Sequence, residues 1–155
     1  MYRHKSLKVY LDDLAARKPT PGGGSASALV GALGLSLLSM AANYTIGKER
    51  YKDKESQMRK ILSSTEILRK RLLELVDLDT YAYRKFYGAK KKAKEEFDKA
   101  LNETKIIPRQ IIGCCQKGLK LSSILVKKGN VNLISDVKAA KTLLEAAQKA
   151  AREFC

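Results

Sequence analysis

The first residues with chemical potential are the glycine run Gly22-Gly23-Gly24 and the Ser25 that follows it. Glycines ahead of a helix leave backbone N–H groups accessible, and the helix N-terminus adds about half a positive charge, so the pair can bind a carboxylate or a phosphate. Ser25 is also of the right type to cap the helix. An isolated run of this kind more often forms a tight turn between closely packed helices. A P-loop would need Gly-Lys-Ser/Thr next, which is missing.

Asp79 is the second candidate, because it occupies a position on an otherwise apolar helical stripe and is therefore expected to face inward. A buried carboxylate must be paired, protonated or placed in a cleft. Burial would raise its pKa and suit it to acid–base work near neutral pH. A structural Asp held by a lysine or a backbone amide explains the pattern equally well. Asp77 lies off the stripe and is expected to face solvent.

Three further residues are weaker candidates on their own. Asp136 falls in the first turn of a predicted helix, where an Asp commonly stabilises the helix dipole. Lys48 and Tyr51 directly follow an apolar helix, where a basic helix end and a packing ring are sufficient explanations.

The histidine and cysteines limit the chemistry further. His4 is the only histidine, so no Ser–His or Cys–His pair can be assembled. Cys114, Cys115 and Cys155 have no Cys-x-x-Cys spacing, and we expect no metal site. We interpret them as reduced thiols, with Cys114 and Cys115 in a helix core, which indicates a cytoplasmic protein.

Helices must position these residues. The 155 residues are 45% hydrophobic and 30% charged, and the three prolines leave few interruptions. Ala, Leu, Lys and Glu are strong helix formers. We therefore predict one all-α domain over residues 1–155, a helical bundle of about five or six helices without strands, in which a small-residue-rich helix lies at the centre.

The periodicity of apolar residues predicts where these helices lie. The first carries Leu7, Leu11 and Leu14, follows a Ser6 cap and stops before Pro19. The others are expected at about 26–46, from about Asp53 through Phe86, at 108–128 with Pro108 in the first turn and Gly129 as the C-terminal cap, and from Ser135 or Asp136 onward, with a short amphipathic stretch around Phe97.

The 26–46 helix is apolar on every face, so we expect it to be buried on every face. Ala28, Ala32 and Ser36 form a row of small residues that lets another helix approach closely. The segment nears the ~20 residues that a bilayer crossing needs. Its serines, Asn43 and basic flanks favour a core helix instead, and we expect no membrane association.

The charge of the chain is strongly basic, at +15, and such a field attracts polyanions. The densest cluster is Lys90, Lys91, Lys92 and Lys94. Nucleic acid, an anionic membrane and a polycarboxylate ligand would all fit the charge. Because no nucleic-acid motif or set of stacking aromatics is present, nucleic acid is disfavoured. A non-catalytic basic module for nucleic acid or another polyanion remains the alternative to an enzyme.

Several segments, in order, resemble the cyclodeaminase/methenyltetrahydrofolate cyclohydrolase family, which includes the C-terminal domain of formiminotransferase-cyclodeaminase. The most specific is Pro-Thr-Pro-Gly-Gly-Gly-Ser (19–25), followed by a small-residue helix to Met40. Others are Ala-Ala-Asn-Tyr-Thr-Ile-Gly-Lys (41–48), Leu-Leu-Glu-Leu-Val-Asp-Leu-Asp (72–79) and Lys-Gly-Asn-Val-Asn-Leu-Ile-Ser-Asp (128–136).

The resemblance implies an all-helical homodimer acting on a one-carbon-substituted tetrahydrofolate. The reaction would be cyclodeamination of 5-formiminotetrahydrofolate to 5,10-methenyltetrahydrofolate, or hydrolysis of the methenyl compound. Asp79 and then Asp136 are the implied catalytic residues. The implied substrate contacts are Gly22, Gly23, Gly24, Ser25, Lys48, Tyr51, Asn130 and Asn132. The basic surface would suit a polyglutamylated folate.

Two departures accompany the resemblance. The family usually continues past the last helix into another helical segment, whereas this sequence reads Arg-Glu-Phe-Cys at 152–155. The stretch 84–99 is also richer in lysine than is usual. We expect the fold to be retained, and the short C-terminus to affect part of the site or of the dimer interface.

Overall fold

A computed structural model describes residues 1–91 and 93–155, so Lys92 of the lysine cluster lies outside the described residues. Its five α-helices confirm the all-α prediction, and the described part contains no strand. Short 3-10 turns span Tyr2–His4, Glu49–Lys54 and Val131–Leu133. The helices are α1 (Leu7–Ala15), α2 (Gly23–Asn43), α3 (Glu55–Ala89), α4 (Lys94–Lys128) and α5 (Ile134–Arg152).

Helix α2 lies at the centre, with α3, α4 and α5 packed around it. Its small residues allow this packing, as predicted. A Cβ atom at Gly31 would lie 2.9 Å from Leu72 Cδ1 of α3, and one at Gly34 would lie 2.9 Å from Leu144 Cγ of α5. Because Gly31 also faces Ala147, further along α5, the two helices run antiparallel.

One face of α2 is nevertheless left open, so the prediction of burial on every face was wrong for the single chain. Three helices cover most of its circumference but not all of it. Leu33 is 50% exposed. It belongs to a row of apolar residues at helical spacing, the α2 stripe, whose other members are half-buried. The α2 stripe consists of Ala26, Val30, Leu33, Leu37 and Met40.

By length and apolar composition alone α2 could cross a membrane. Its buried residues, which include Leu35, Leu38 and Ala42, contact the rest of the bundle. This packing accounts for its apolar character.

Two predicted helix boundaries were wrong. Helix α2 begins at Gly23 with Gly22 as its N-cap, so Ser25 is an internal residue and not the cap. Helix α4 runs unbroken through Pro108, which was predicted to start a new helix. Proline in a helix forfeits one backbone hydrogen bond. Ile107, Pro108 and Ile111 are all buried, and this continuous apolar face holds the helix together across the proline.

Other boundary predictions were confirmed or shifted slightly. The Ser6 side chain accepts a hydrogen bond from the Val9 amide, as a cap should. The Gly129 amide donates to the Leu125 carbonyl at 2.8 Å, which closes α4. Helix α3 begins at Glu55 and α5 at Ile134, within two residues of prediction.

The predicted stripe of the first helix was wrong, because Leu7 and Leu11 are exposed while Tyr10 is the buried residue of α1. The cysteine prediction was confirmed: Cys114 and Cys115 are buried and unpaired in α4. Burial raises the pKa of Cys115 to about 12.

Candidate active site

Asp79 of α3 lies against the first turn of α2. Its Oδ2 atom accepts a hydrogen bond from the backbone amide of Ser25 at 2.9 Å. The helix N-terminus at the glycine run does hold a carboxylate, as its residue types predicted, but the carboxylate belongs to this chain. This anchors one oxygen of Asp79 at the start of α2.

Gly24 is required at this junction by space. A Cβ atom at Gly24 would lie 2.1 Å from Asp79 Oδ1 and 2.7 Å from its Cγ. No side chain fits while the carboxylate keeps its place. A Cβ atom at the neighbouring Gly22 would meet nothing within 4 Å. The positions of the run are therefore not equivalent, and Gly24 is the one that admits Asp79.

The environment of Asp79 favours its protonated form. Burial raises the pKa of the Asp79 carboxyl above its usual range, and the Ser25 amide lowers it by a smaller amount. Asp79 therefore retains a proton to higher pH than an exposed Asp does. An upward shift brings the titration of a carboxyl group closer to the pH at which acid–base catalysis operates.

Ser25 connects three helices at this point. Its Oγ atom donates to the Val76 carbonyl of α3 at 3.0 Å and lies 3.1 Å from the Tyr10 hydroxyl of α1. Ser25 is fully buried and Tyr10 is almost so. Sequence analysis did not single out Tyr10. Its place three residues after Leu7 and four before Leu14 was the available signal.

A groove opens beside the glycine run, between α2 and α5. Its volume is about 390 Å³, and its walls are almost wholly apolar. Phe154 covers one end, since a Cβ atom at Gly23 would lie 2.5 Å from its ring. The groove continues onto the α2 stripe through Ala26 and Val30. The other wall is formed by Ala146, Ala147, Ala150 and Glu153.

The other predicted site residues gather at the opposite end of α2. The Asn130 amide N–H donates to Thr45 Oγ1 at 2.9 Å, and its side-chain Nδ2 donates to the Tyr44 carbonyl at 3.0 Å. The Val131 N–H donates to the Tyr51 hydroxyl at 3.1 Å. These bonds join the turn before α5 to the segment after α2.

We call this group the C-end cluster; it comprises Lys48, Tyr51, Asn130, Asn132 and Asp136. Tyr51 is buried, Lys48 and Asn132 are exposed, and Asn130 and Asp136 are half-buried. The Asn132 amide bonds to the Asn130 side chain at 3.1 Å. Asp136 lies in the first turn of α5, where it also complements the helix dipole.

One chain therefore does not bring all the predicted site residues together. Asp79 and the glycine run lie at the start of α2, and the C-end cluster lies beyond its end. A helix rises 1.5 Å per residue, so the 21 residues of α2 separate the two groups by about 30 Å. No side chain spans that distance.

Asp77 differs from prediction, because it is half-buried and not in solvent. The amide of Tyr2 donates to its Oδ1 atom, and Arg3 Nε lies 3.6 Å from its Oδ2 atom. The N-terminal turn covers this part of α3, which a helical stripe could not reveal. In the described part of the chain, no three His, Cys, Asp or Glu side chains are grouped so as to hold a metal ion.

Comparison with known proteins gives consistent results. The formiminotransferase-cyclodeaminase family model matches residues 6–153. The methenyltetrahydrofolate cyclohydrolase of Methylorubrum extorquens is 35% identical over 150 residues, which are 90% of this chain and 72% of that protein. The formimidoyltransferase-cyclodeaminase of Rattus norvegicus is 30% identical over 150 residues, which are 90% of this chain but only 28% of that protein.

A solved structure shares the fold. The crystal structure of formiminotetrahydrofolate cyclodeaminase from Thermotoga maritima superposes with a TM-score of 0.96 at 34% sequence identity. The match covers 99% of this chain and 77% of that one.

Proposed function

The chain belongs to the formiminotransferase-cyclodeaminase family, and on that premise we propose that it acts on the one-carbon bridge of a tetrahydrofolate, with Asp79 moving the proton. The observation that carries this proposal is the half-buried carboxyl group held by one amide at the N-terminus of α2. Its raised pKa suits both directions of proton transfer.

Cyclodeamination of 5-formiminotetrahydrofolate is the first candidate reaction. N10 forms a bond to the formimino carbon and loses its proton, and the imino nitrogen becomes an amine by gaining a proton from solvent. A second proton then lets that amine leave as ammonia, and the 5,10-methenyl cation remains. Ionised Asp79 would take the first proton, and protonated Asp79 would supply the second.

Hydrolysis of 5,10-methenyltetrahydrofolate is the second candidate, and the cyclohydrolase of M. extorquens favours it. Water adds to the methenyl carbon and gives up a proton, and one carbon–nitrogen bond then breaks as that nitrogen gains a proton. The same carboxylate serves both steps. In both reactions its negative charge also stabilises the cationic bridge.

We further propose that the working form is a homodimer. The α2 stripe has the spacing of a helix–helix contact, and its most exposed residue, Leu33, is the midpoint of α2. Antiparallel packing of two α2 helices about a two-fold axis at Leu33 would place the start of one beside the end of the other. The C-end cluster of one chain would then face Asp79 of its partner.

Such a site would give several of the predicted residues a role. The groove between α2 and α5 would take the flat ring system of the folate against its apolar walls. Asn130, Asn132 and Tyr51 would supply polar contacts from the other chain, and Asp136 a second carboxylate. The exposed lysines after α3 lie about 16 Å beyond Asp79 along the helix rise, within reach of a polyglutamate tail.

The test measures both reactions in one absorbance assay. The purified protein is incubated with 5-formiminotetrahydrofolate and, separately, with 5,10-methenyltetrahydrofolate, whose methenyl absorbance appears in the first reaction and disappears in the second. Ammonia release identifies the deaminase. Turnover of either compound that Asp79→Asn abolishes would support the proposal. No turnover and no thermal stabilisation by either folate would overturn it and favour the non-catalytic polyanion module.

A further inference from the structure

Tyr10 is the buried side chain of α1, and it lies outside the proton-transfer chemistry proposed for Asp79. Its hydroxyl lies 3.1 Å from Ser25 Oγ. Ser25 in turn supplies the amide that holds Asp79. The Tyr10 ring is only 4% exposed, so water does not compete freely for this contact.

The direction of the hydrogen bonds follows from counting protons. A carbonyl oxygen can only accept, and a hydroxyl group has one proton to donate. The Val76 carbonyl lies 3.0 Å from Ser25 Oγ, so the Ser25 proton points to Val76. The Tyr10 hydroxyl must then donate to Ser25 Oγ. The chain of donors runs from Tyr10 through Ser25 to Val76.

Ser25 contacts two consecutive turns of α3. Its side chain bonds to the carbonyl of Val76, and its backbone N–H bonds to the side chain of Asp79, three residues further on. A shift of Ser25 along α3 would therefore change the geometry at Asp79. The Tyr10 hydroxyl is the contact from outside these two helices that opposes such a shift.

We propose that Tyr10 is a positioning residue for Asp79: its hydroxyl holds Ser25, and Ser25 thereby keeps its backbone N–H aimed at the carboxylate. The catalytic consequence rests on the proposed function, but the positioning itself does not. The Ser25 amide is the contact that favours the charged form of Asp79 against burial. If the hydrogen bond from this amide weakens, the Asp79 carboxyl group should become harder to ionise.

The charged groups that the structure describes around this network do not replace the hydrogen bond from Tyr10 to Ser25. The first turn of α2 has no acidic residue and reads Gly-Gly-Ser-Ala. From the N-terminal turn, Arg3 pairs with Asp77. Arg84 of α3 donates to Thr20 at 2.9 Å, and Glu153 lines the groove beside Gly23. Tyr10 itself is titratable. Burial raises its pKa, the Ser25 hydrogen bond lowers it by a smaller amount, and the Asp79 charge raises it by less again.

The experiment follows the titration of the Asp79 carboxyl carbon by NMR in the whole protein, without substrate. Tyr10→Phe keeps the ring and removes the donor, and we expect it to move the Asp79 midpoint to higher pH. Tyr2→Phe is the matched control. Its hydroxyl bonds to Asp13 at 3.0 Å, and its ring lies edge-on to Tyr10 at 5.4 Å. We expect Tyr2→Phe to leave the titration midpoint of Asp79 unchanged.

Ser25→Ala tests whether Tyr10 acts through Ser25. This variant keeps the backbone amide and removes the hydroxyl group, so Tyr10→Phe should cause no further shift in its background. An unchanged midpoint in Tyr10→Phe, or an equal shift in the Ser25→Ala background, would overturn the inference. If the midpoint moves as expected but neither folate is turned over, the positioning stands and the proposed function fails. Where turnover is measurable, the acid limb of the kcat profile should move with the midpoint.

Discussion

The geometry at Asp79 depends on three residues from two helices. Ser25 supplies the amide, Gly24 leaves the space, and Asp79 fills it. A substitution at each position tests something different. The Ser25 amide favours the charged form of Asp79, Gly24 sets the position of the carboxyl group, and in the proposed function that carboxyl group would carry the proton. Substitutions at the three positions therefore separate these contributions.

We expect Asp79→Asn to leave the fold intact and to lower folate turnover about a hundredfold or more, the range typical of a general acid–base group. Asn has nearly the same shape and can still accept from the Ser25 amide, so the packing is preserved. Steady-state kinetics and circular dichroism measure the two effects. Unfolding of the variant with normal activity per folded molecule would show that Asp79 is structural.

The same substitution should change stability in a pH-dependent way. The pKa of Asp79 is raised in the folded chain by burial. Its contribution to stability is therefore fully present below the ordinary pKa of Asp and is lost as pH rises through the raised value. The amide side chain of the Asp79→Asn variant cannot ionise. The Tm of the variant relative to the original chain should consequently increase as pH rises above about 4, the ordinary pKa of Asp. A difference that stays constant or falls would contradict the raised pKa.

Gly24→Ala tests whether the position of the Asp79 carboxyl group matters for turnover. The new Cβ atom would meet Asp79 Oδ1 at 2.1 Å, and the carboxyl group, as a side-chain end, can move away more easily than backbone can. We therefore expect a loss of stability of about 1–3 kcal/mol from overpacking. Turnover should fall about a hundredfold, as a misplacement of about 1 Å can cause.

Gly113→Ala is the control for this substitution. It lies inside α4, and its Cβ atom would meet nothing within 4 Å. Replacing glycine with alanine in a helix interior stabilises by about 1 kcal/mol, and activity should be unchanged. Equal turnover in the two alanine variants would show that the space at Gly24 has no catalytic importance.

At the scale of elements, α2 carries both the site and the open apolar face. Most of its surface is buried by three helices, and the α2 stripe remains. An uncovered apolar row along a core helix is unusual on the surface of a folded monomer. This is why we propose that a second copy covers it.

Leu33→Glu should therefore keep the chain folded and make it a monomer at micromolar concentration. Leu33 is half exposed in the single chain, so a charge there is tolerated until two copies approach. Turnover should fall together with the dimer, although Asp79 is untouched. Light scattering and the absorbance assay measure the two effects. Ile67→Glu is the control, since Ile67 is 67% exposed on α3 and lies outside the α2 stripe.

Periodicity predicts a helix and its inward face when the apolar residues that recur at helical spacing are the ones that the fold buries. The small-residue character of α2 and the inward position of Asp79 came directly from spacing. Three features could not be predicted from spacing, because each depends on contacts in the folded chain. Asp77 is covered by the N-terminal turn, Pro108 is buried within a continuous α4, and Ser25 bonds to Val76 of α3 instead of capping α2.

Sequence reasoning names candidate site residues but does not show where they lie in the fold. Residue types and spacing singled out Asp79 and the glycine run, and the resemblance added Asn130 and Asn132, but sequence order cannot show that α2 separates the two groups. That separation follows from the length of one helix. Tyr10 escaped because it lies beside Leu7 and Leu11, whose apolar side chains proved to be exposed.

At the scale of the whole molecule, the charge of +15 should act on the substrate. We expect tighter binding of polyglutamylated than of monoglutamylated folate, with a preference that fades as salt is added. Exposed charges are screened over about 8 Å at physiological ionic strength. Calorimetric titration of both folates at two salt concentrations measures this.

Replacing the exposed Lys90, Lys91 and Lys94 with Gln should flatten that preference and leave monoglutamate binding nearly unchanged. A matched loss of three charges from the other half of α4, at Lys117, Lys120 and Lys127, should leave the preference in place. Those lysines are also exposed. Equal affinities for the two folates at low salt in the unmodified chain would assign the basic surface to another polyanion, and nucleic acid would be tested next.

The antiparallel packing of α2 on α5 also has a consequence during synthesis. The ribosome completes α2 roughly a hundred residues before it completes α5. At about 5–20 residues per second, the apolar helix waits about 5–20 s for its last cover. Throughout that interval the nascent chain presents the kind of segment that chaperones and membrane-insertion machinery recognise. The four serines of α2 lower the hydrophobicity of the helix during this interval. They therefore affect the nascent chain before the bundle is complete.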